Sequence, residues 1–232
     1  MRSTFCTPFD EEFARRCIMF AFPELKWDLT LQKSDPPDLA DKNRNIGVEV
    51  VRAVTKEDAE LANAYVQYSN ESIENMPLQL RKKVDKGYSG FICDSENKII
   101  GAKFSIKDNL YDVIKMQILR KTQILNSYRY NSFFTDCVFV YNSDGFCHKN
   151  GLMELMDELV LECKDYQKQF ELLFIYCLHE IYLCDQERKT VECRRINDDE
   201  TERMKKEALI ELGRSKEYYN QSNFLFMDST NK

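Results

Sequence analysis

Apolar positions near the start of the chain recur at helical spacing: Phe9, Phe13, Cys17 and Phe20 follow Pro8 on one stripe, which predicts an amphipathic helix to about Phe22 with Glu11 and Glu12 in its first turns. The period then shortens. Trp27, Leu29 and Leu31 alternate, a double proline and a polar turn at 41–45 follow, and the apolar run 46–54 is broken by Gly47, Glu49 and Arg52. This predicts two sheet strands joined by a turn. Thr55 with Asp58 forms a capping box for a helix to about Tyr68, and more helix is expected across 77–84.

Residues 90–105 read as two short strands about a Ser-Glu-Asn turn, an excursion from the main sheet. Between 109 and 128 the positions Leu110, Val113, Ile114, Ile118, Leu119, Thr122 and Leu125 keep a helical period, so one long helix carries Lys115, Arg120 and Lys121. A buried strand is expected at 133–141, a helix at 151–166, one central strand at 171–183 and an edge strand at 190–196. Asp198 or Asp199 caps a charged helix to about Lys216, with Met204, Ala208, Ile210 and Leu212 as its buried seam. The order predicts an α/β fold, a mixed central β-sheet flanked by helices, in a single domain 1–232 with its core at 9–185 and the edge strand and charged helix of 190–216 appended.

Composition sharpens this picture. Seven Gly and five Pro among 232 residues disfavour tight-turned all-β architectures. A net charge of −6 gives no long-range attraction to phosphate backbones, so a nucleic-acid partner needs a local basic patch. Candidates are Lys82, Lys83, Lys86, Lys103, Lys107, Arg120, Lys121 and Arg129, interleaved with Tyr128 and Tyr130; the plainer account is a set of solvated helix faces. No apolar run approaches the roughly 20 residues of a membrane span, so no membrane partner is expected. Nine scattered cysteines read as reduced thiols of a cytoplasmic protein.

The segment that carries chemistry is Asp35-Pro36-Pro37-Asp38-Leu39 followed by Gly47-Val48-Glu49-Val50-Val51. Two carboxylates on neighbouring strands can converge on one point, and hard oxygen ligands suit Mg²⁺ or Mn²⁺. A charge inside an apolar strand is costly unless paired, coordinated or exposed. The alternative is a half-exposed strand whose Glu49 side faces solvent. Cys177, His179 and Cys184, with Cys147 and His148, are a weaker soft-ligand set, better read as buried thiols. Glycine-rich dinucleotide, P-loop and nucleophile-elbow motifs are missing from the sequence.

The pattern PPDL…IGVEVVRAV resembles the PD-(D/E)xK, restriction-endonuclease-like nuclease superfamily. The resemblance implies a restriction-endonuclease-like core with helical additions, metal binding by Asp38 and Glu49, and a further carboxylate from the first helix, filled by Glu12 or Glu11. The superfamily's lysine should stand two residues after Glu49, where this chain has Val51. Lys121, or else Lys115, on the long helix is the candidate to compensate. The expected activity is divalent-metal-dependent hydrolysis of nucleic-acid phosphodiesters, with Asp38, Glu49 and Lys121 as catalytic residues and Asp38, Glu49 and Glu12 as metal ligands. A second expectation is a catalytically inactive nuclease-fold protein that binds or regulates, as in bacterial or phage defence and counter-defence, with a protein partner or a homodimer. A third is a structural α/β protein in which the motif is accidental.

Overall fold

In the computed structural model, residues 7–32, 36–84, 90–103, 109–127, 130, 133–142 and 145–213 are described. They form two compact units, one from residues up to Ala53 and from Leu110 onward, the other from Val54 to Asn109.

The larger unit is an α/β sandwich. Helix α1 (Pro8–Ala21) starts at Thr7, whose hydroxyl accepts the Asp10 N–H while the Asp10 carboxylate accepts the Thr7 N–H, a reciprocal cap. Strands β1 (Thr30–Leu31), β2 (Leu39–Asp41) and β3 (Ile46–Arg52) are antiparallel neighbours. β3 runs parallel to β6 (Thr135–Asn142), which runs parallel to β7 (Leu172–Cys177), and β8 (Glu180–Asp185) and β9 (Thr190–Arg195) complete the sheet antiparallel. The order is β1-β2-β3-β6-β7-β8-β9, a mixed sheet of seven strands. The elements between β3 and β6 are α2 (Lys56–Tyr68), α3 (Leu78–Val84), β4 (Gly90–Cys93), β5 (Ile99–Lys103) and α4 (Leu110–Leu125); α5 (Lys149–Glu162) links β6 to β7 and α6 (Asp198–Glu211) follows β9.

Because side chains alternate across a strand, the parity of each contact assigns a face. Arg52 on β3 bonds Asp10 of α1, and Phe13 of α1 meets Tyr141 and Tyr176 edge-on at 5.5 and 5.4 Å. Even-numbered β3 residues therefore face α1. Val51, of opposite parity, packs with Val113, Ile114 and Ile118 of α4 and Leu152 and Met156 of α5. Helices α1 and α6 thus cover one face of the sheet, α4 and α5 the other.

The smaller unit holds α2, α3 and the β4/β5 hairpin, a separate two-stranded sheet, around a cluster of Ala64, Tyr65, Met76 and Ile99. Among the described residues no helix is long and apolar enough to cross a membrane.

Two expectations change. The apolar run 171–183 is a hairpin, β7 and β8, that reverses at Leu178 with a left-handed φ of 53°. Helix α6 is capped by Asn197, which accepts the Glu200 N–H, and its buried residues are Thr201, Met204, Ala208 and Leu209, with Ile210 68% exposed.

Candidate functional site

Asp38 is placed by the turn after Pro36 and Pro37, at the mouth of β2. The β2/β3 ladder ends at Leu39 opposite Val48, and the Asp38 carboxylate continues it: Oδ2 accepts the Val50 N–H at 2.8 Å. That bond aims the carboxylate across β3. Glu49 lies at the middle of β3, between β2 and β6, in a strand buried at every position. The half-exposed alternative is thereby overturned, and the cost of an interior charge must be met by a partner.

The partner comes from α4. Its buried stripe is Val113, Ile114, Gln117, Ile118, Lys121, Thr122 and Leu125, so Lys121 lies on the sheet side of the helix, one turn beyond Gln117. Lys121 Nζ donates to Asp38 Oδ2 at 3.1 Å and to Glu49 Oε2 in a closer contact. Glu49 and Lys121 side chains are 1% and 4% exposed, while Asp38 is 21% exposed, so the cluster opens to the surface at Asp38. Among the described residues the other Glu49 oxygen, Oε1, is buried without a hydrogen-bond partner.

Gly47 keeps this geometry compact. A Cβ there would stand 2.9 Å from the Phe133 ring and 3.1 Å from Pro37 Cγ, so only glycine lets both close over β3 beside the carboxylates.

Electrostatics follow from burial. Desolvation drives the Glu49 carboxyl upward; Lys121 opposes the rise and Asp38 adds to it, and the group is pushed up to about 7. With all three groups ionised the cluster carries one net negative charge. An ammonium already sits between its two carboxylates.

One neighbour on the same sheet face, Asp136, escaped the sequence reading, and Tyr130, read there only as an aromatic beside basic residues, lies next to it. Asp136 on β6 is the register partner of Gly47 and is buried. Burial raises its carboxyl, against the pull of Lys168, whose Nζ is 3.9 Å away. Tyr130 lies beside Asp136 and within electrostatic reach of Glu49, and burial holds its phenol far above its ordinary range. The signal for Asp136 was present: like Glu49, it is a carboxylate inside an apolar strand.

Other candidates fall elsewhere. Both carboxylate oxygens of Glu12 are taken on its own helix, by Arg15 at 2.6 and 2.8 Å and by Arg16 at 2.7 Å, and Arg16 reaches on to Glu207 of α6 at 2.6 Å. Since α1 lies on the opposite face of the sheet from Lys121, Glu12 is not brought to the Asp38–Glu49 pair. Glu11, on the same helix, shares that placement. Lys115 pairs with Glu158 and Glu162 of α5 at 2.7 and 3.1 Å and stays at the surface. Val51, at the superfamily's lysine position, is fully buried against α4. His179 sits in the β7/β8 turn with Nδ1 2.9 Å from Asp198, so it does not share a strand face with Cys177. Among the described residues no three His, Cys, Asp or Glu side chains group as a ready metal-ligand set. Lys86, Lys107, Tyr128 and Arg129 lie outside the described residues.

The donors nevertheless fit a small hard cation. Mg²⁺ commonly takes only one or two protein carboxylates and completes its shell with water and phosphate oxygens, and the pair here is already shaped around a positive charge with a spare buried oxygen at Glu49 Oε1. Comparison of the chain with protein-family models, with curated proteins and with solved structures finds no match.

Proposed function

We propose that the protein is a divalent-metal-dependent nuclease that hydrolyses phosphodiester bonds, with Asp38 and Glu49 as ligands for Mg²⁺ or Mn²⁺ and Lys121 as the catalytic cation. One observation carries this reading: the ammonium of Lys121 bonds both carboxylates of the PPD…GVE motif, although no lysine stands two residues after Glu49. A restriction-endonuclease-like assignment gains support from the same contact, because the lysine that this strand lacks is supplied to the same carboxylates by a helix.

The metal, when bound, would polarise a phosphate oxygen and lower the pKa of a coordinated water. Asp38, held by the Val50 N–H, keeps its orientation as a ligand. Glu49 must give up its proton to coordinate, which ties metal affinity to pH. Lys121, which bonds both carboxylates, would supply the positive charge that pairs with a non-bridging phosphate oxygen and offsets charge in the transition state. The partly exposed Asp38 marks where the nucleic acid would approach. A reducing cytoplasm suits the free thiols.

One observation favours the second reading, a nuclease-fold binding protein without catalysis: Lys121 already neutralises much of the pair. Thermal melts with and without Mn²⁺ on wild type and Asp38→Ala separate the two, because a ligand that binds only the folded state raises the melting temperature. Nuclease function predicts a rise in wild type, none in Asp38→Ala, and cleavage of single- or double-stranded DNA or RNA that is lost in Lys121→Met. No rise in wild type, or cleavage that survives in Lys121→Met, overturns the assignment.

A further inference from the structure

A second chemical cluster stands at the carboxyl ends of the parallel strands β6 and β7. Asn142 and Cys177 are register partners there. The buried Asn142 amide donates to Gly145 O at 3.0 Å and to Cys177 Sγ at 3.6 Å, while the Tyr182 hydroxyl, its single proton shared between the Glu180 carboxylate at 2.5 Å and the Cys147 carbonyl at 2.8 Å, and the Tyr111 hydroxyl, which accepts the His148 N–H at 2.8 Å, hold the same segment. Residues 145–148 are thus held from three elements. The consequence is that the free thiols of Cys147 and Cys177 face each other with their sulfurs 2.7 Å apart, inside ordinary van der Waals contact.

We infer that Cys147 and Cys177 form a modification site, a dithiol that a hydroperoxide converts to an intramolecular disulfide. A disulfide needs its sulfurs at about 2.05 Å, so bond formation requires only a small further approach of sulfurs already in contact. The two sulfurs share a hydrogen bond, and this contact together with the Asn142 amide holds the Cys177 thiol below its ordinary range against its burial, so Cys177 is taken as the attacking group. Its thiolate attacks one peroxide oxygen, the O–O bond breaks, and water leaves once protonated, giving a sulfenic acid at Cys177. The Cys147 sulfur then attacks that sulfur, the S–O bond breaks, and the departing hydroxide takes the Cys147 proton as a second water. Two thiols lose two electrons and two protons, and one hydroperoxide is reduced. A dithiol reductant reverses the step.

Cys147 and Cys177 are only 3% and 2% exposed, so the oxidant must be small. The test treats the full reduced chain with hydrogen peroxide or, in parallel, with oxidised glutathione, and maps peptides without reduction. Expected with peroxide are the loss of two hydrogens, a cross-linked peptide pair containing Cys147 and Cys177, and a melting temperature raised by roughly 5–10 °C and restored by dithiothreitol. Oxidised glutathione should react at least about tenfold more slowly. Cys147→Ser should stop at the sulfenic or sulfinic acid on Cys177; if that variant does not fold, the wild-type peptide map decides. Cross-linking of Cys177 to Cys184, irreversible oxidation without a disulfide, or equal rates with both oxidants overturns the inference.

Discussion

The ammonium of Lys121 and the carboxylate of Glu49 meet across 72 residues of chain, from a helix and a strand that an entire second unit separates in sequence. Glu49 occupies an interior strand and Lys121 the buried stripe of α4, so the pair is fixed by sheet and helix, and Asp38 joins it from the β2 end.

Glu49 should make the metal-free protein less stable as pH rises. Its folded pKa of about 7 lies above the ordinary 4.5, so its favourable contribution is complete below 4.5 and is lost as pH climbs through 7. The loss is on the order of 3 kcal/mol. Urea titrations at pH 5 and pH 8 should show a markedly smaller pH difference in Glu49→Gln than in wild type; equal differences would mean that Glu49 is ionised throughout.

Removing the Lys121 charge should destabilise steeply. Lys121→Met leaves two carboxylates, one fully buried, without their cation, and breaking a buried pair costs about 3–5 kcal/mol. The cost should be largest near pH 8.5 and shrink near pH 5.5, where Glu49 can protonate. Melts at the two pH values check this, and a pH-independent loss would point to lost packing alone.

Gly47→Ala should cost about 1–3 kcal/mol by overpacking against Phe133 and Pro37. Phe133→Leu in the same chain should recover part of it, as read from urea midpoints. Without recovery, the strain lies at Pro37 instead.

Glu12→Gln should lower stability by about 2 kcal/mol, because Arg15 and Arg16 lose their shared buried acceptor and the α1–α6 contact through Glu207 loosens. Any Mn²⁺-induced shift in melting temperature should be unchanged. A shift abolished in this variant would return Glu12 to the metal site.

Much of the architecture was legible because period and capping agree locally: the stripe Phe9, Phe13, Cys17 lies on α1, the Thr55–Asp58 cap opens α2, and the Ser-Glu-Asn turn joins β4 to β5. The β7/β8 reversal was hidden because it uses Leu178 and His179, with no Gly, Pro or Asn to mark it, and a leucine accepts the left-handed φ. The seam of α6 was shifted by one residue, from Ile210 to Leu209, in a helix too polar for its apolar positions to fix a face. At the site, the convergence of Asp38 and Glu49 follows from strand adjacency. The reach of Lys121 depends on how α4 is rotated on the sheet, and the exclusion of Glu12 depends on which face α1 covers, recorded in the pairing of Asp10 with Arg52 and the contacts of Phe13 with Tyr141 and Tyr176. Neither is a property of a local pattern.

The placement of the second unit between β3 and α4 also sets an order of events on the ribosome. The strand bearing Glu49 emerges first, and a whole compact body is synthesised before the lysine that compensates it. During that interval the nascent strand carries a carboxylate with no ammonium to meet, and so favours hydration over burial. The sheet can close around β3 only after α4 and then β6, its parallel neighbour, have followed in the chain, so burial of Glu49 waits on residues well beyond the second unit.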